Sequence, residues 1–281
     1  MKSEGYQVAF NSQVIDNRFI GKKYACFGDS ITSDQVTGIG TLVNSLLGTT
    51  MVGNFATGWA TCSDWHDGDT NISPITLEVP PNTDTSDNVL SNQIRRLLQH
   101  TTAADSLIAW RHPLDGDFSL PASLGLGLGH TADIPDIIYI AISTNDGKND
   151  TVPIFDDTDR VFDQSYAQLS RNSIASALRW AIETLLCAYP NTQIFVASPL
   201  QTYTPEGSNP WMSYANGLIK RNIIKKVCRF CSVYFIDSFS ESGFSRMIAC
   251  HNGEVHPNEA WKSHIAKYIA NSICIKYVTR D

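Results

Sequence analysis

No run of apolar residues in this sequence approaches the roughly 20 that cross a bilayer as a helix, which excludes a helical membrane span. Basic charge is in deficit too: 21 Lys and Arg stand against 28 Asp and Glu, a net charge of −7. Nucleic acids and anionic membranes need clustered Lys and Arg, so neither partner is expected. The one compact basic cluster, Lys220-Arg221 with Lys225-Lys226 and Arg229, has the spacing of one helix face and reads as solvated. Internal repeats and Gly/Ser or Pro linkers are missing. So is a small-domain disulfide framework: the seven cysteines (26, 62, 187, 228, 231, 250 and 274) are odd in number and scattered, as reduced, mostly buried thiols would be. Cys228-Arg229-Phe230-Cys231 has redox or half-zinc spacing, but no second pair accompanies it, so a structural role is expected. Met1 to Gly5 lead into polar residues without the apolar stretch of a signal peptide. The expected compartment is cytoplasmic by default, or extracellular where a leader has been removed.

What is present is 42% hydrophobic and 17% charged material, enough for a sizeable core. Short β-rich runs alternate with helical patterns, which predicts a parallel sheet with covering helices. The predicted strands are Lys23 to Phe27, Met51 to Ala56, Ile137 to Ile142, Gln193 to Ala197 and Ser232 to Ile236. Helices are predicted around Gly40 to Leu47, Ser165 to Ala188, Trp211 to Cys228 and Asn258 to Ile275. The expected fold class is α/β, a three-layer α/β/α sandwich over residues 1–281 as one domain. Two stretches, about 59–88 and 111–135, break the alternation and read as insertions at the rim.

Phe27-Gly28-Asp29-Ser30-Ile31-Thr32 stands where the first strand turns towards a helix. Open α/β folds place their sites at that carboxyl edge. A serine hydroxyl needs a base to become a nucleophile. Glu254-Val255-His256-Pro257-Asn258-Glu259 offers one, with His256 held at the entrance of the last helix and Pro257 suited to its first turn. Alone, Gly-Asp-Ser would be a capped turn and His256 an ordinary surface histidine; together they suggest acyl transfer. That chemistry also needs donors aimed at a developing oxyanion. Gly58 after the second strand can give an unobstructed N–H, and Asn145, within Ser143-Thr144-Asn145-Asp146 after the third, a side-chain amide.

Gly-Asp-Ser after the first strand, Gly after the second, Asn-Asp after the third and His-Pro before the last helix resemble the SGNH (GDSL-like) hydrolase family. These motifs span residues 28 to 257, nearly the whole chain. The resemblance implies a flavodoxin-like five-stranded parallel sheet and a serine esterase with no cofactor and no metal. It implies Ser30 as nucleophile, His256 as base, and the Ser30 N–H, Gly58 N–H and Asn145 amide as the oxyanion hole. Two positions depart from the family pattern. Ser143 replaces a usual Gly, an exchange expected to shift the loop little. Gly253 stands where the family commonly has the Asp that orients the histidine; Glu254, Asn252 or a backbone carbonyl would then serve, or the site works as a Ser–His dyad.

Other signals are weaker. Gly125-Leu126-Gly127-Leu128-Gly129 lacks the strand before and helix after that make a phosphate loop. Asp64, His66, Asp67 and Asp69 match no EF-hand spacing and read as a solvated acidic loop. His251 beside Cys250 lacks a zinc-ligand partner pair. Trp59, Trp65, Trp110 and Trp211 fall in or beside rim loops; core packing is their default explanation, and one or two are candidates to stack on a sugar ring. The leading expectation is therefore an esterase for small acyl, above all acetyl, groups on a carbohydrate, its partner a small-molecule or glycan ester. A non-catalytic or weakly active carbohydrate-binding relic of the same fold is the alternative, and a thiol or metal enzyme using Cys228 and Cys231 a third reading.

Overall fold

The computed structural model describes residues 17–64, 89–101, 134–147, 158–169, 171, 173–201, 210–244 and 255–279. Five strands form one parallel sheet: β1 (Lys23–Gly28), β2 (Thr50–Asn54), β3 (Ile137–Ala141), β4 (Gln193–Ala197) and β5 (Tyr234–Ile236). Their spatial order is β2-β1-β3-β4-β5, the flavodoxin-like arrangement. Among the described residues seven α-helices accompany them: α1 (Ser30–Ser33), α2 (Ile39–Leu47), α3 (Leu90–Thr101), α4 (Thr158–Asp163), α5 (Ile174–Ala188), α6 (Tyr214–Phe230) and α7 (Glu259–Lys276).

The central strands β1, β3 and β4 are almost continuously apolar because both faces of the sheet are covered. Period-2 alternation divides their side chains between two cores. Ala25, Phe27, Ile138, Ile140, Ile194 and Val196 pack with residues of α3, α5 and α6. Tyr24, Cys26, Ile137, Tyr139, Phe195 and Ala197 pack with residues of α2 and α7. The result is the expected three-layer sandwich. The sheet grows outward in opposite directions from β1 and β3, so the loops after those two strands flank the topological switch point, where such sheets bind ligands.

Boundaries differ from the sequence reading where local capping intervenes. The stretch expected as one helix from Ser165 is broken. The Ser165 and Gln168 side chains form a capping box around a 3₁₀ turn, Tyr166–Gln168, and α5 starts only after Ser173, whose hydroxyl accepts from the Ser176 N–H. Asn258 caps α7 by accepting from the Trp261 N–H (3.1 Å), so Pro257 precedes the cap instead of opening the helix. Helices α3 and α4 lie outside the predicted elements. The expected insertions lie mostly outside the described residues, as do Gly125 to Gly129, His66, Asp67, Asp69, Trp65, Trp110, Cys250 and His251.

Two further readings are corrected. The basic cluster of α6 is not one solvated face. Lys220 is buried with Ile223, Ile224, Val227 and Cys228 at the i, i+3, i+4, i+7, i+8 spacing of the inward stripe; Arg221 pairs with Asp237, and Lys225, Lys226 and Arg229 are exposed. Asp64 is likewise buried, accepting from Arg171 Nε (2.6 Å) and Ser91 Oγ (2.5 Å). A carboxylate fixed by two donors belongs to the scaffold, not to a solvated loop.

Cys26 and Cys228 are fully buried and Cys231 half-buried; burial pushes all three thiols up, Cys231 to about 12. Such thiols are poor nucleophiles. A folded-state pKa above the unfolded value gives stability that is complete below pH 9.0, the ordinary value, and lost as pH rises beyond it. Cys231→Ala is therefore expected to lose about 1 kcal/mol less stability than wild type between pH 7 and pH 10, read from urea unfolding at the two values. An equal loss in both proteins would show that this thiol already ionises in the folded state.

Candidate active site

Ser30 opens α1 directly after β1, with Asp29 as the helix cap. The Asp29 carboxylate accepts from the Ile31 N–H (3.1 Å) and, across the sheet edge, from the Thr144 N–H (3.4 Å). Burial pushes its pKa up; hydrogen bonds from Thr144 and Ile31 and the nearby His256 oppose the rise. The turn is tight: a Cβ at Gly28 would lie 2.3 Å from the Ala141 carbonyl oxygen, so only glycine fits there. Buried Gln93 of α3 pairs with both main-chain groups of Gly28. Its Oε1 accepts from the Gly28 N–H (2.9 Å) and its Nε2 donates to the Gly28 carbonyl (2.8 Å).

His256, in the loop before α7, reaches back so that Nε2 lies 2.7 Å from Ser30 Oγ. The pair is at the exposed edge, with His256 exposed and Ser30 half-buried. Asn252, Gly253 and Glu254, the positions expected to hold an orienting group, lie outside the described residues.

The remaining groups gather at the same edge. Beyond β2 the chain stays beside β1, with the Phe55 N–H donating to the Cys26 carbonyl (2.9 Å) and the Thr57 N–H to the Gly28 carbonyl (3.1 Å). This carries Gly58 to the nucleophile turn. Asn145 is buried and its Nδ2 donates to the Ala60 carbonyl (3.0 Å), tying the β3 loop to the Gly58 loop. A primary amide has two N–H donors, so one remains for a ligand oxygen. Asp146 fastens the two loops from the other side, accepting from the Cys62 N–H (2.7 Å), the Ser63 N–H (3.0 Å) and the Ser63 hydroxyl (2.8 Å). Beside the turn lies a small hollow lined by Asp29, Ile31, Thr144, Leu200, Ile265 and Ile269 among others.

Three residues of this scaffold escape the sequence reading: Gln93, Asp146 and Lys220. Only Lys220 leaves a signal, its place on the apolar stripe of α6. Among the described residues no group of three or more His, Cys, Asp or Glu is arranged to hold a metal ion.

No protein-family model and no curated protein matches the sequence. Solved structures do resemble it. The lipase/acylhydrolase from Enterococcus faecalis is 12% identical with a TM-score of 0.50, over 92% of this chain and 99% of its own. The inhibitor-bound aryl esterase from M. smegmatis is 15% identical with a TM-score of 0.52, over 92% and 100%. A carbohydrate esterase family 2 enzyme with a carbohydrate-binding domain, from Corynascus thermopiles, is 17% identical with a TM-score of 0.52, over 90% of this chain and 66% of that one. At these identities the likeness shows the fold.

Ser143 is held under strain. Its φ of 92° lies where side chains are strained, and its fully buried hydroxyl has no hydrogen-bond partner among the described residues. Ser143→Gly is expected to raise stability by about 1–2 kcal/mol, seen as a rise of roughly 2–6 °C in Tm. A lower Tm would mean that the hydroxyl makes a contact that matters.

Proposed function

We propose that this chain, which has the SGNH hydrolase fold, is a single-domain serine esterase acting through an acyl-enzyme, with Ser30 as nucleophile and His256 as base. The observation that carries the reading is the 2.7 Å contact between Ser30 Oγ and His256 Nε2 at the switch-point edge. In this reading Nε2 takes the hydroxyl proton as Oγ attacks the ester carbonyl. The tetrahedral oxyanion then faces the Ser30 N–H, which the start of a helix leaves unused, the Gly58 N–H and the second N–H of Asn145. His256 returns the proton to the departing alkoxide. A water, deprotonated by the same imidazole, then releases the acid and regenerates Ser30. The His-orienting role stays assigned to Glu254, Asn252, a backbone carbonyl or no group at all.

The substrate part of the proposal is a small acyl ester, above all acetyl, on a carbohydrate. Trp59, next to Gly58, is an aromatic residue 59% exposed beside the oxyanion loop. Carbohydrate esterases from Corynascus thermopiles and Clostridium thermocellum are among the proteins that share the fold.

Ser30→Ala is expected to lower kcat/KM for a short-chain chromogenic ester by at least about 10³-fold, and Asn145→Ala to lower kcat by about 10²- to 10³-fold. Equal rates in wild type and Ser30→Ala would remove Ser30 from the mechanism. Acetyl release from acetylated glycans tests the substrate. Trp59→Ala should raise KM there about three- to tenfold while leaving the chromogenic ester unaffected; an unchanged glycan KM would exclude a stacking role. Glycan binding without turnover by wild type would favour the carbohydrate-binding alternative.

A further inference from the structure

Lys220 is the most deeply buried cation among the described residues, 2% exposed on the inward stripe of α6. Burying an ammonium is costly unless it is bound and compensated. Nζ donates to the carbonyl of Thr144 (3.0 Å), whose own N–H donates to Asp29 (3.4 Å). Both main-chain groups of Thr144 are therefore held by charged side chains. The carbonyl that Lys220 grips belongs to the peptide joining Thr144 to Asn145, and the orientation of that peptide fixes where the Asn145 side chain starts.

The compensating charges are Asp146 and Asp29, which attract the ammonium without contacting it. Each carboxylate is occupied elsewhere, Asp146 by the Cys62 and Ser63 donors and Asp29 by the Ile31 N–H as well as Thr144. Also near α6, Asp237 is paired with Arg221 and Glu183 with Arg179, Glu241 lies close enough to act on Arg221, and Lys225, Lys226 and Arg229 of the same helix are exposed. Tyr214, in the first turn of α6, lines the same pocket as Lys220.

We propose that Lys220 is a positioning residue for the oxyanion hole, its ammonium locking the Thr144–Asn145 peptide so that the Asn145 amide faces the acyl oxygen attacked by Ser30. This rests on Ser30 being the nucleophile. Lys220 touches no substrate atom; it acts through the loop. Burial pulls its pKa down to about 8, against the attraction of Asp146 and Asp29. The ammonium is therefore present at neutral pH and is lost as pH rises through about 8, leaving both carboxylates uncompensated and the Thr144 carbonyl with a weaker donor.

The test is hydrolysis of a short-chain ester between pH 6 and pH 10 by wild type, Lys220→Gln and Lys220→Arg, with folding checked by Tm. Wild-type kcat should decline as pH passes about 8. Lys220→Gln should lower kcat about 10- to 100-fold at pH 7, with KM within about twofold of wild type and no decline near pH 8. Lys220→Arg, which stays charged throughout, should recover part of kcat and also show no such decline. A folded Lys220→Gln with wild-type kcat, or one that keeps the decline near pH 8, would overturn the proposal. If neither variant folds, the wild-type profile decides, and a kcat flat from pH 7 to pH 9 overturns it. A wild type that hydrolyses no ester removes the Ser30 reading and this one together, whereas an active wild type with unaltered variants removes only the role of Lys220.

Discussion

The hydrogen bond between Ser30 and His256 joins segments 226 residues apart in sequence, and the rest of the structure explains how so distant a pair is held at bonding distance. Neither side chain has much of its own to fix it, since the pair lies at the exposed edge. The constraint comes from what stands behind: β1, buried from Tyr24 to Gly28, delivers Ser30 at its end, and α7, capped by Asn258, delivers His256 from the opposite end of the chain. The sandwich keeps these two supports in register. Packed cores deform little, so a contact between such anchors is maintained without a dedicated clamp.

Around that contact the interior is polar. Asp29, Gln93, Asn145, Asp146 and Lys220 are all at least 95% buried, and an unpaired group in such a place would cost about 1–3 kcal/mol or more. Each has a hydrogen-bonding partner, and most of the partners are main-chain groups of the loops after β1, β2 and β3. Apolar residues of the same volume would pack as well, but they would not fix the direction of a peptide N–H or an amide. The network therefore spends stability on orientation, which is what a site that stabilises developing charge requires. Ser143 is the exception, strained and without a partner among the described residues, and it lies two residues before the amide that the network orients.

The sheet is readable because parallel strands covered on both faces must be continuously apolar. Ile137 to Ala141 and Gln193 to Ala197 are short and dominated by β-branched and aromatic residues, which a buried helix would not be. The position of Ser30 follows from the same logic, as does His256 beside a helix start. The supporting residues are harder to see. Lys220 passes for one of several solvated basic residues until its helical phase with Ile223, Ile224, Val227 and Cys228 is considered. Gln93 and Asp146 act on backbone groups of loops far away in sequence, and no local pattern encodes such a contact. The break between Gln168 and Ile174 falls on the polar run Ser170-Arg171-Asn172-Ser173, where the capping side chains of Ser165 and Ser173 divide the helix.

The central claim is that the imidazole of His256 makes the hydroxyl of Ser30 nucleophilic. Treatment with a fluorophosphonate, followed by peptide mass spectrometry, reads this directly. The account requires adduct on Ser30 in wild type and none in His256→Ala of equal Tm. Adduct on Ser30 at the same rate in both proteins, or no adduct in wild type, would contradict it.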